Sequence, residues 1–283
     1  MQPPSNRRPL AHSLGTLACI LLVVFAYLIL RGSQGAQSRQ GRDHARLPDI
    51  VIADLDLRLL HVRDGSFQMG SLDKKASKAE QPLTTVHLSE FYLGATEVTR
   101  IQYNKIMGLQ PPSPQNGQLP IVDITWDEAV QFCQRLTKRA RDHGQILANQ
   151  HYTLPTEAQW EYACRAGSTG NYAGALGELG WYGRNSGGIL HPVATKKPNN
   201  WGFYDMHGNA WEWCLDGMSS YPGGMVDNPQ GPSQGEYHVT RGGGWDAESL
   251  HCRASARNFN WHHSKFRSLG FRVALVQGHD ETH

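Results

Sequence analysis

The stretch GFYDMHGNAWEWC, residues 202–214, crowds four large aromatic rings around a few polar side chains. Rings of this size gain most when they are buried, so they are expected in the interior. Gly208, in the middle of the stretch, allows a backbone conformation that other residues rarely adopt. The stretch therefore predicts a buried turn that aromatic side chains hold in place.

Two oxygen-bearing side chains of this turn, Asn209 and Glu212, lie three residues apart. Hard oxygen ligands on a tight loop suit calcium, and neighbouring backbone carbonyls can complete such a site. The alternative is that Glu212 caps a backbone turn while Trp211 and Trp213 fill the core. The spacing alone leaves both interpretations open.

The chain has 283 residues and is rich in glycine (30) and tryptophan (8). No internal repeat and no second linker divides residues 51–276, which are expected to form one domain. Strand-like and helical segments alternate there with long glycine- and proline-containing stretches. This pattern predicts an α+β fold with few helices and much irregular loop. The net charge of +2 and the scattered basic residues argue against nucleic acid as a partner.

An uncharged apolar run, residues 14–30, follows two arginines near the N-terminus. Its length is at the lower limit for a membrane span, and the arginines are expected to stay inside. We therefore expect this order: cytoplasmic segment 1–13, transmembrane signal anchor 14–30, disordered linker 31–50, domain 51–276, tail 277–283. The domain would be membrane-anchored and extracytoplasmic, in the periplasm or outside the cell. If the run is instead a cleaved signal peptide, the protein is secreted.

Three helix starts are predicted from capping boxes, in which a threonine is followed by Glu or Gln three residues later. The pairs are Thr99 with Gln102, Thr125 with Glu128, and Thr156 with Gln159. Upstream of them, alternating apolar residues on both sides of Asp64-Gly65 predict a hairpin. From Gly170 to Val273 the helical period is almost absent, which predicts short strands, turns and loops.

Four cysteines follow the apolar run, namely Cys133, Cys164, Cys214 and Cys252. An even number in an oxidising compartment favours disulfides. Four cysteines allow three pairings, and the spacing does not choose among them. Buried free thiols are the alternative, and the absence of C-x-x-C spacing argues against a zinc or redox motif.

Two pairs of ionisable side chains are further candidates. Glu157 and Glu161 lie one helical turn apart, as acid–base pairs can, although the helix dipole alone favours a carboxylate in the first turn. His262 and His263 would face opposite sides of a strand, so they are not expected to bind one metal.

The segment 241–275 mixes glycines, arginines, tryptophans and histidines. It is expected either to line an aromatic groove that attracts anions or to form a strand–loop–strand unit whose arginines bond backbone carbonyls. No G-x-S-x-G, Walker or G-x-G-x-x-G motif occurs in the chain, so hydrolase, NTPase and dinucleotide functions lack support.

Seven motifs occur in order between Leu59 and Leu275. They are FQMGS (67–71), EVTRIQY (97–103), ITWDEAVQFC (124–133), YTLPTEAQWEYACRAG (152–167), GFYDMHGNAWEW (202–213), RGGGW (241–245) and LGFRVAL (269–275). In this set the chain resembles the formylglycine-generating enzyme, or sulfatase-modifying factor, family. The resemblance implies a modified C-type-lectin fold with a twisted antiparallel sheet. It also implies a structural calcium at the positions Gly208, Asn209, Ala210 and Glu212.

The chain departs from this family at the active site. Formylglycine-generating enzymes carry RGGS followed by two cysteines that bind copper(I), whereas here Gly244 replaces the serine and the next residues, WDAESLH, contain no cysteine. Copper(I) needs soft thiolates, so neither copper nor formylglycine formation is expected. The resemblance instead implies a Cys164–Cys252 disulfide. In the family the Cys133 position pairs with a cysteine after GFR, where this chain has Val273, so Cys133–Cys214 is expected only as the pairing that is left over.

Three functions stay open at this point. The first is a divergent extracytoplasmic maturation enzyme with catalytic candidates Trp245, His251, Arg253, Arg257 and His262. The second is a non-catalytic module that binds a peptide or glycan through an aromatic surface in residues 245–262. The third is a formylglycine-generating oxidase of sulfatase cysteines. Each implies a peptide, protein or small-molecule partner outside the cytoplasm, with the membrane contacted only by the N-terminal segment.

Overall fold

The three predicted capping boxes are all present in the structure, a computed structural model that describes residues 47–232 and 235–278. They start helices α1 (Arg100–Met107), α2 (Trp126–Asp142) and α3 (Glu157–Arg165). In each box the threonine hydroxyl accepts a hydrogen bond from the backbone N–H three residues later, as in Glu128 N to Thr125 Oγ1 at 3.1 Å. A single further turn, α4 (Leu176–Leu179), follows.

Twelve strands lie among the described residues. They are β1 Ile50–Ile52, β2 Leu57–Val62, β3 Gly65–Met69, β4 Thr84–Leu88, β5 Phe91–Gly94, β6 Gln150–Thr153, β7 Trp211–Gly217, β8 Gly224–Asp227, β9 Tyr237–Arg241, β10 Arg257–Trp261, β11 Leu269–Gly270 and β12 Ala274–Gln277.

The strands form three sheets, with orders β1-β2-β5-β12-β6, β10-β9-β7-β11 and β3-β4-β8. Every pair in the five-stranded sheet is antiparallel. The pairs β7–β11 and β4–β8 are parallel. Short helices around mainly antiparallel sheets confirm the α+β prediction.

The predicted hairpin at Asp64-Gly65 is wrong. β2 pairs with β1 and β5, whereas β3 pairs with β4, so this turn connects two different sheets. The choice of partner is therefore made by distant residues, which local alternation does not reveal.

The N-terminal predictions fall mostly outside the described residues, including the segment 14–30. The linker predicted for 31–50 ends too late, because Ile50 already pairs with Leu59 in β1–β2. Within 47–232 and 235–278, none of the helices has both the length and the apolar character needed to cross a bilayer.

The core consists of two groups of buried side chains. One lies between α2 and the five-stranded sheet and contains Phe132, Leu136 and Trp213; the other surrounds Trp160 on α3. The link between β11 and β12, residues 271–273, joins the four-stranded sheet to the five-stranded sheet. Arg272 in this link is fully buried. Its position places the side chain next to the GNAWEW turn, residues 208–213.

Candidate functional site

The GNAWEW turn is tightly packed, and all of its residues except the half-buried Trp211 are buried. At Gly208 the backbone has φ +145°, and a Cβ there would lie 2.2 Å from the Trp181 carbonyl oxygen, so only glycine fits. Both oxygens of Glu212 accept hydrogen bonds of 2.6 Å from Arg272. Trp160 Nε1 donates a third bond to Glu212, at 2.8 Å. The aromatic side chains of this region thus pack around a buried ion pair between Glu212 and Arg272.

The predicted calcium ligands are only partly suited to that role. Arg272 already balances the charge of Glu212, and Asn209 Oδ1 accepts a hydrogen bond from His191 N at 3.0 Å. Two other oxygens nearby are buried and accept no hydrogen bond from a protein N–H or hydroxyl group, namely Glu97 Oε2 and Asp205 Oδ1. The carboxyl groups of Glu97 and Asp205 lie within hydrogen-bonding reach of each other. The side-chain oxygens that are available as metal ligands in this region therefore belong to Glu97 and Asp205. The sequence interpretation did not single out these two residues.

The carboxylates of Glu97 and Asp205 belong to a buried group in which negative charges outnumber positive ones. With Glu212 they form a buried group of three carboxylates, and the cation that acts on all three is Arg272. Two negative charges would remain if every group were ionised, and an uncompensated buried charge is costly. Burial raises the pKa of Glu97 well above its ordinary value and that of Asp205 to about 6. Either protons or one divalent cation can supply the missing positive charge.

The carboxylate pair on α3 is part of a structural network. Arg241 is fully buried between the two side chains, with its Nε 2.9 Å from Glu157 and its guanidinium bonded to Glu161. Arg165 and Arg257 complete the ion pairs, at 2.7 Å to Glu161 and 2.6 Å to Glu157. With every carboxylate paired to a guanidinium, these residues stabilise the fold and offer no free base.

The five predicted catalytic candidates do not converge, so the groove proposed from the sequence is corrected here. Arg253 forms a buried, two-bond ion pair with Glu80, and Arg257 binds Glu157 in the same way. Trp245 is 8 % exposed. His262 lies against Asp127. Of the five, His251 and Arg257 alone line the cleft described next, and the guanidinium of Arg257 is occupied.

A cleft of about 400 Å³ covers the face of β10 that carries Asn258 and Asn260. We call it the β10 cleft. Its main lining residues are Trp211, Asp246, His251, Asn258, Asn260 and Phe266. The rings of Trp211 and His251 lie 6.3 Å apart. β10 is the outer strand of its sheet, and its opposite face exposes Phe259 and Trp261.

None of the predicted disulfides is formed in the structure, where all four cysteines are buried free thiols. Cys164 Sγ contacts His207, whose Nδ1 lies 2.8 Å from the Cys252 carbonyl oxygen, while Cys252 Sγ faces Glu248 O. Cys133 and Cys214 belong to different core groups.

Burial also makes these thiols unreactive. It raises the pKa of Cys252 to about 12 and raises that of Cys164 and Cys133 further. A protonated thiol is a poor metal ligand and nucleophile. No thiolate therefore takes the place of the missing cysteine pair among the described residues.

The expectation that His262 and His263 face opposite sides of a strand is wrong. His262 and His263 follow β10 in a turn, and both rings approach Asp127. The strand ends at Trp261, one residue before the pair.

Comparison with known proteins defines the class of the molecule. A solved structure described as Treponema denticola variable protein 1 superimposes with a TM-score of 0.71 at 26 % identity, covering 80 % of this chain and 98 % of that one. The fold is the C-type-lectin-like fold of formylglycine-generating enzymes, as the motif set implied.

The chain belongs to the sulfatase-modifying factor family, because residues 57–276 match the family model described as "Sulfatase-modifying factor enzyme 1-like domain". The formylglycine-generating enzyme of Bos taurus is 33 % identical and covers 86 % of this chain and 82 % of its own length. A protein of Paenibacillus barcinonensis described as chaperone protein LppX is 28 % identical, covering 60 % of this chain and 75 % of its own.

Proposed function

We propose that this protein is a non-catalytic member of the family that binds an extended polypeptide segment in the β10 cleft. The observation that carries the proposal is the character of the cleft. Its lining is made of amides, aromatic rings, one exposed imidazole (His251) and one exposed carboxylate (Asp246), whereas the guanidinium of Arg257 is held by Glu157. Such a lining can recognise a peptide but offers no activated nucleophile.

The position of β10 favours an extended ligand. As the outer strand of its sheet, it has one edge that no described strand covers. An extended peptide can add to such an edge through main-chain hydrogen bonds, and the adjoining cleft can then select alternate side chains. The relative described as a chaperone protein agrees with a polypeptide ligand.

The maturation-enzyme and oxidase hypotheses have less support. An enzyme of either kind needs reactive groups that meet at one point. The five catalytic candidates are dispersed, and Cys252 is buried with a raised pKa. The location outside the cytoplasm rests on residues 1–31 and stays a prediction.

Peptide binding is tested by panning a library of random 12-residue peptides against the purified full chain. We expect enriched peptides whose affinity falls about tenfold or more in Asn258→Ala and His251→Ala, since both side chains are exposed in the cleft. The matched control is His143→Ala, which removes an exposed histidine directly after the C-terminal end of α2. This variant should bind the peptides like wild type. Failure to enrich any peptide, or equal binding by all variants, would remove the proposal.

We further propose that one calcium ion is held by Glu97, Asp205 and carbonyl oxygens of the GNAWEW turn, with Glu212 retained by Arg272. The support is the pair of buried oxygens that accept no hydrogen bond from a protein N–H or hydroxyl group, together with the two unbalanced charges. Carboxylate and carbonyl oxygens are the ligands calcium prefers. The ion would stabilise the turn that underlies the four-stranded sheet.

Chelation tests this proposal. At a free calcium concentration of about 100 times the Kd, binding stabilises the folded state by ~2.7 kcal/mol. Removal of the ion by EDTA should therefore lower the melting temperature by roughly 5–10 °C. Calcium should restore the original value, and Asp205→Asn should respond less. If EDTA leaves the wild-type melting temperature unchanged, Glu97 and Asp205 hold protons instead and the calcium proposal is wrong.

A further inference from the structure

The turn after β10 is rigidly positioned by its backbone. Ser264 N donates to Trp261 O at 2.8 Å, which places His262 and His263 at the two central positions of the turn. His262 N donates to Glu236 O at 2.8 Å, and Trp126 N donates to His262 O at 2.9 Å. The turn is therefore fixed both to the chain before β9 and to the start of α2. Central residues of a turn do not alternate as strand residues do, so both rings project to the same side.

Both rings converge on a single carboxylate oxygen. His262 Nδ1 lies 3.1 Å and His263 Nδ1 3.2 Å from Asp127 Oδ2. The ring centroids are 3.7 Å apart. The three possible ligand atoms all lie within 4.8 Å of one another, an arrangement that no other three His, Cys, Asp or Glu side chains share within residues 47–232 and 235–278.

The two nitrogen–oxygen separations match the edges of a coordination polyhedron. Metal–ligand bonds of about 2.0–2.2 Å with angles between about 90° and 109° place neighbouring ligand atoms about 2.8–3.6 Å apart. A metal ion can therefore enter between the three atoms with small rotations of exposed side chains. The side chains of Asp127 and His263 are 50 % and 58 % exposed, so solvent reaches the site.

The surroundings leave these three side chains free for the role. Asp127 lies in the first turn of α2, where the helix dipole favours an ionised carboxylate. The neighbouring Glu128 is bonded to Lys265 at 2.9 Å, so neither of those charges competes. His238 is a further imidazole nearby, but its ring stacks on Trp126 and its Nδ1 bonds to Leu215 O.

We propose that Asp127, His262 and His263 bind a divalent transition-metal ion of the zinc type. Two imidazole nitrogens and one carboxylate oxygen are typical zinc ligands and poor ligands for calcium. Three protein ligands leave a fourth position open to water or to a donor from another molecule. The site is independent of the β10 cleft proposal and of the calcium proposal, because none of its ligands takes part in either.

Zinc titration of the metal-stripped full chain by calorimetry tests the site, with excess calcium present to occupy oxygen-rich sites. We expect saturable zinc binding that weakens at least tenfold in Asp127→Asn and in His263→Ala. Each of these side chains is exposed, so the fold should persist, and circular dichroism checks it. His143→Ala removes an exposed histidine outside the site and should retain the wild-type affinity.

Two results would overturn the inference. One is the absence of saturable zinc binding to the wild-type chain, which would mean that two ring N–H groups simply donate to Asp127. The other is binding of equal strength in Asp127→Asn and His263→Ala, which would assign the zinc to histidines elsewhere in the chain.

Discussion

At the residue scale, the molecule depends on buried ion pairs in which each carboxylate is bonded to a guanidinium. The pair Glu212–Arg272 joins the turn before β7 to the link between β11 and β12. Both side chains have no exposed surface. Because neither charge can reach water, loss of one partner leaves the other without compensation.

Glu212→Gln should therefore lower the free energy of unfolding by about 3–5 kcal/mol. Urea denaturation of the full chain measures the change. The matched control is Asp142→Asn, which breaks the exposed pair with Lys138 and should cost less than about 1 kcal/mol. A loss of equal size in both variants would mean that the buried pair contributes no more than a surface pair.

Asp216 gives the unfolding free energy a defined dependence on pH. Burial and the neighbouring Glu157 raise its pKa to about 7, whereas an unfolded aspartate titrates near pH 3.9. Between these values the folded state keeps a proton that the unfolded state has lost. The contribution of this group to stability is therefore complete below about pH 4 and is lost as the pH rises towards 7.

Asp216→Asn should remove this dependence, which amounts to at most about 1.4 kcal/mol per pH unit. Asparagine also loses one of the two backbone bonds to Asp216, from Glu157 N and Gly231 N. The variant should therefore be less stable than wild type at pH 5, and the difference should shrink towards pH 7.5. If the difference in unfolding free energy between wild type and Asp216→Asn stays constant from pH 5 to 7.5, the pKa of Asp216 is not raised.

The residue scale is also where prediction from the sequence was least complete. Asn209 and Glu212 are close in sequence, so their shared turn was expected. Glu97 and Asp205 were not singled out, because they are far apart in the chain and only tertiary packing brings them together. The partner of Glu212 was missed for the same reason, since Arg272 arrives from the C-terminal segment.

At the scale of elements, helix starts were predicted reliably from local sequence signals, whereas the partners of the strands were not. The three capping boxes involve side chains and backbone groups within four residues, and all three helices begin at the expected threonines. The hairpin at Asp64-Gly65 failed because strand partners are chosen over long distances. The histidine pair was misjudged because strand alternation was assumed to continue beyond Trp261.

Thr125→Ala tests the N-terminal cap of α2, the helix that carries Asp127. Loss of the hydroxyl leaves Glu128 N without its partner and should lower the free energy of unfolding by about 1 kcal/mol. Thr169→Ala, at an exposed loop position, is the control and should change it by less than about 0.5 kcal/mol. Equal effects in the two variants would show that the cap does not support the helix.

At the scale of the whole molecule, the chain keeps the fold of the family but departs from its sequence in the segment after RGGGW. The sheets, helices and GNAWEW turn follow the family, as the motif set predicted. The segment after RGGGW lacks the cysteine pair, and the four cysteines in the described residues are buried thiols. The β10 cleft could not be anticipated from the sequence, since its lining comes from β7, β10 and the loop 246–251.

We propose that this family member binds a polypeptide without oxidising it. The most direct test incubates the full chain with a cysteine-containing sulfatase-motif peptide, copper and oxygen, and then weighs the peptide by mass spectrometry. We predict an unchanged peptide beside complete conversion by a formylglycine-generating enzyme of the family under the same conditions. Conversion of the peptide cysteine to an aldehyde by this chain would contradict the proposal, because it would require a reactive thiolate, whereas the cysteines in residues 47–232 and 235–278 are all buried thiols.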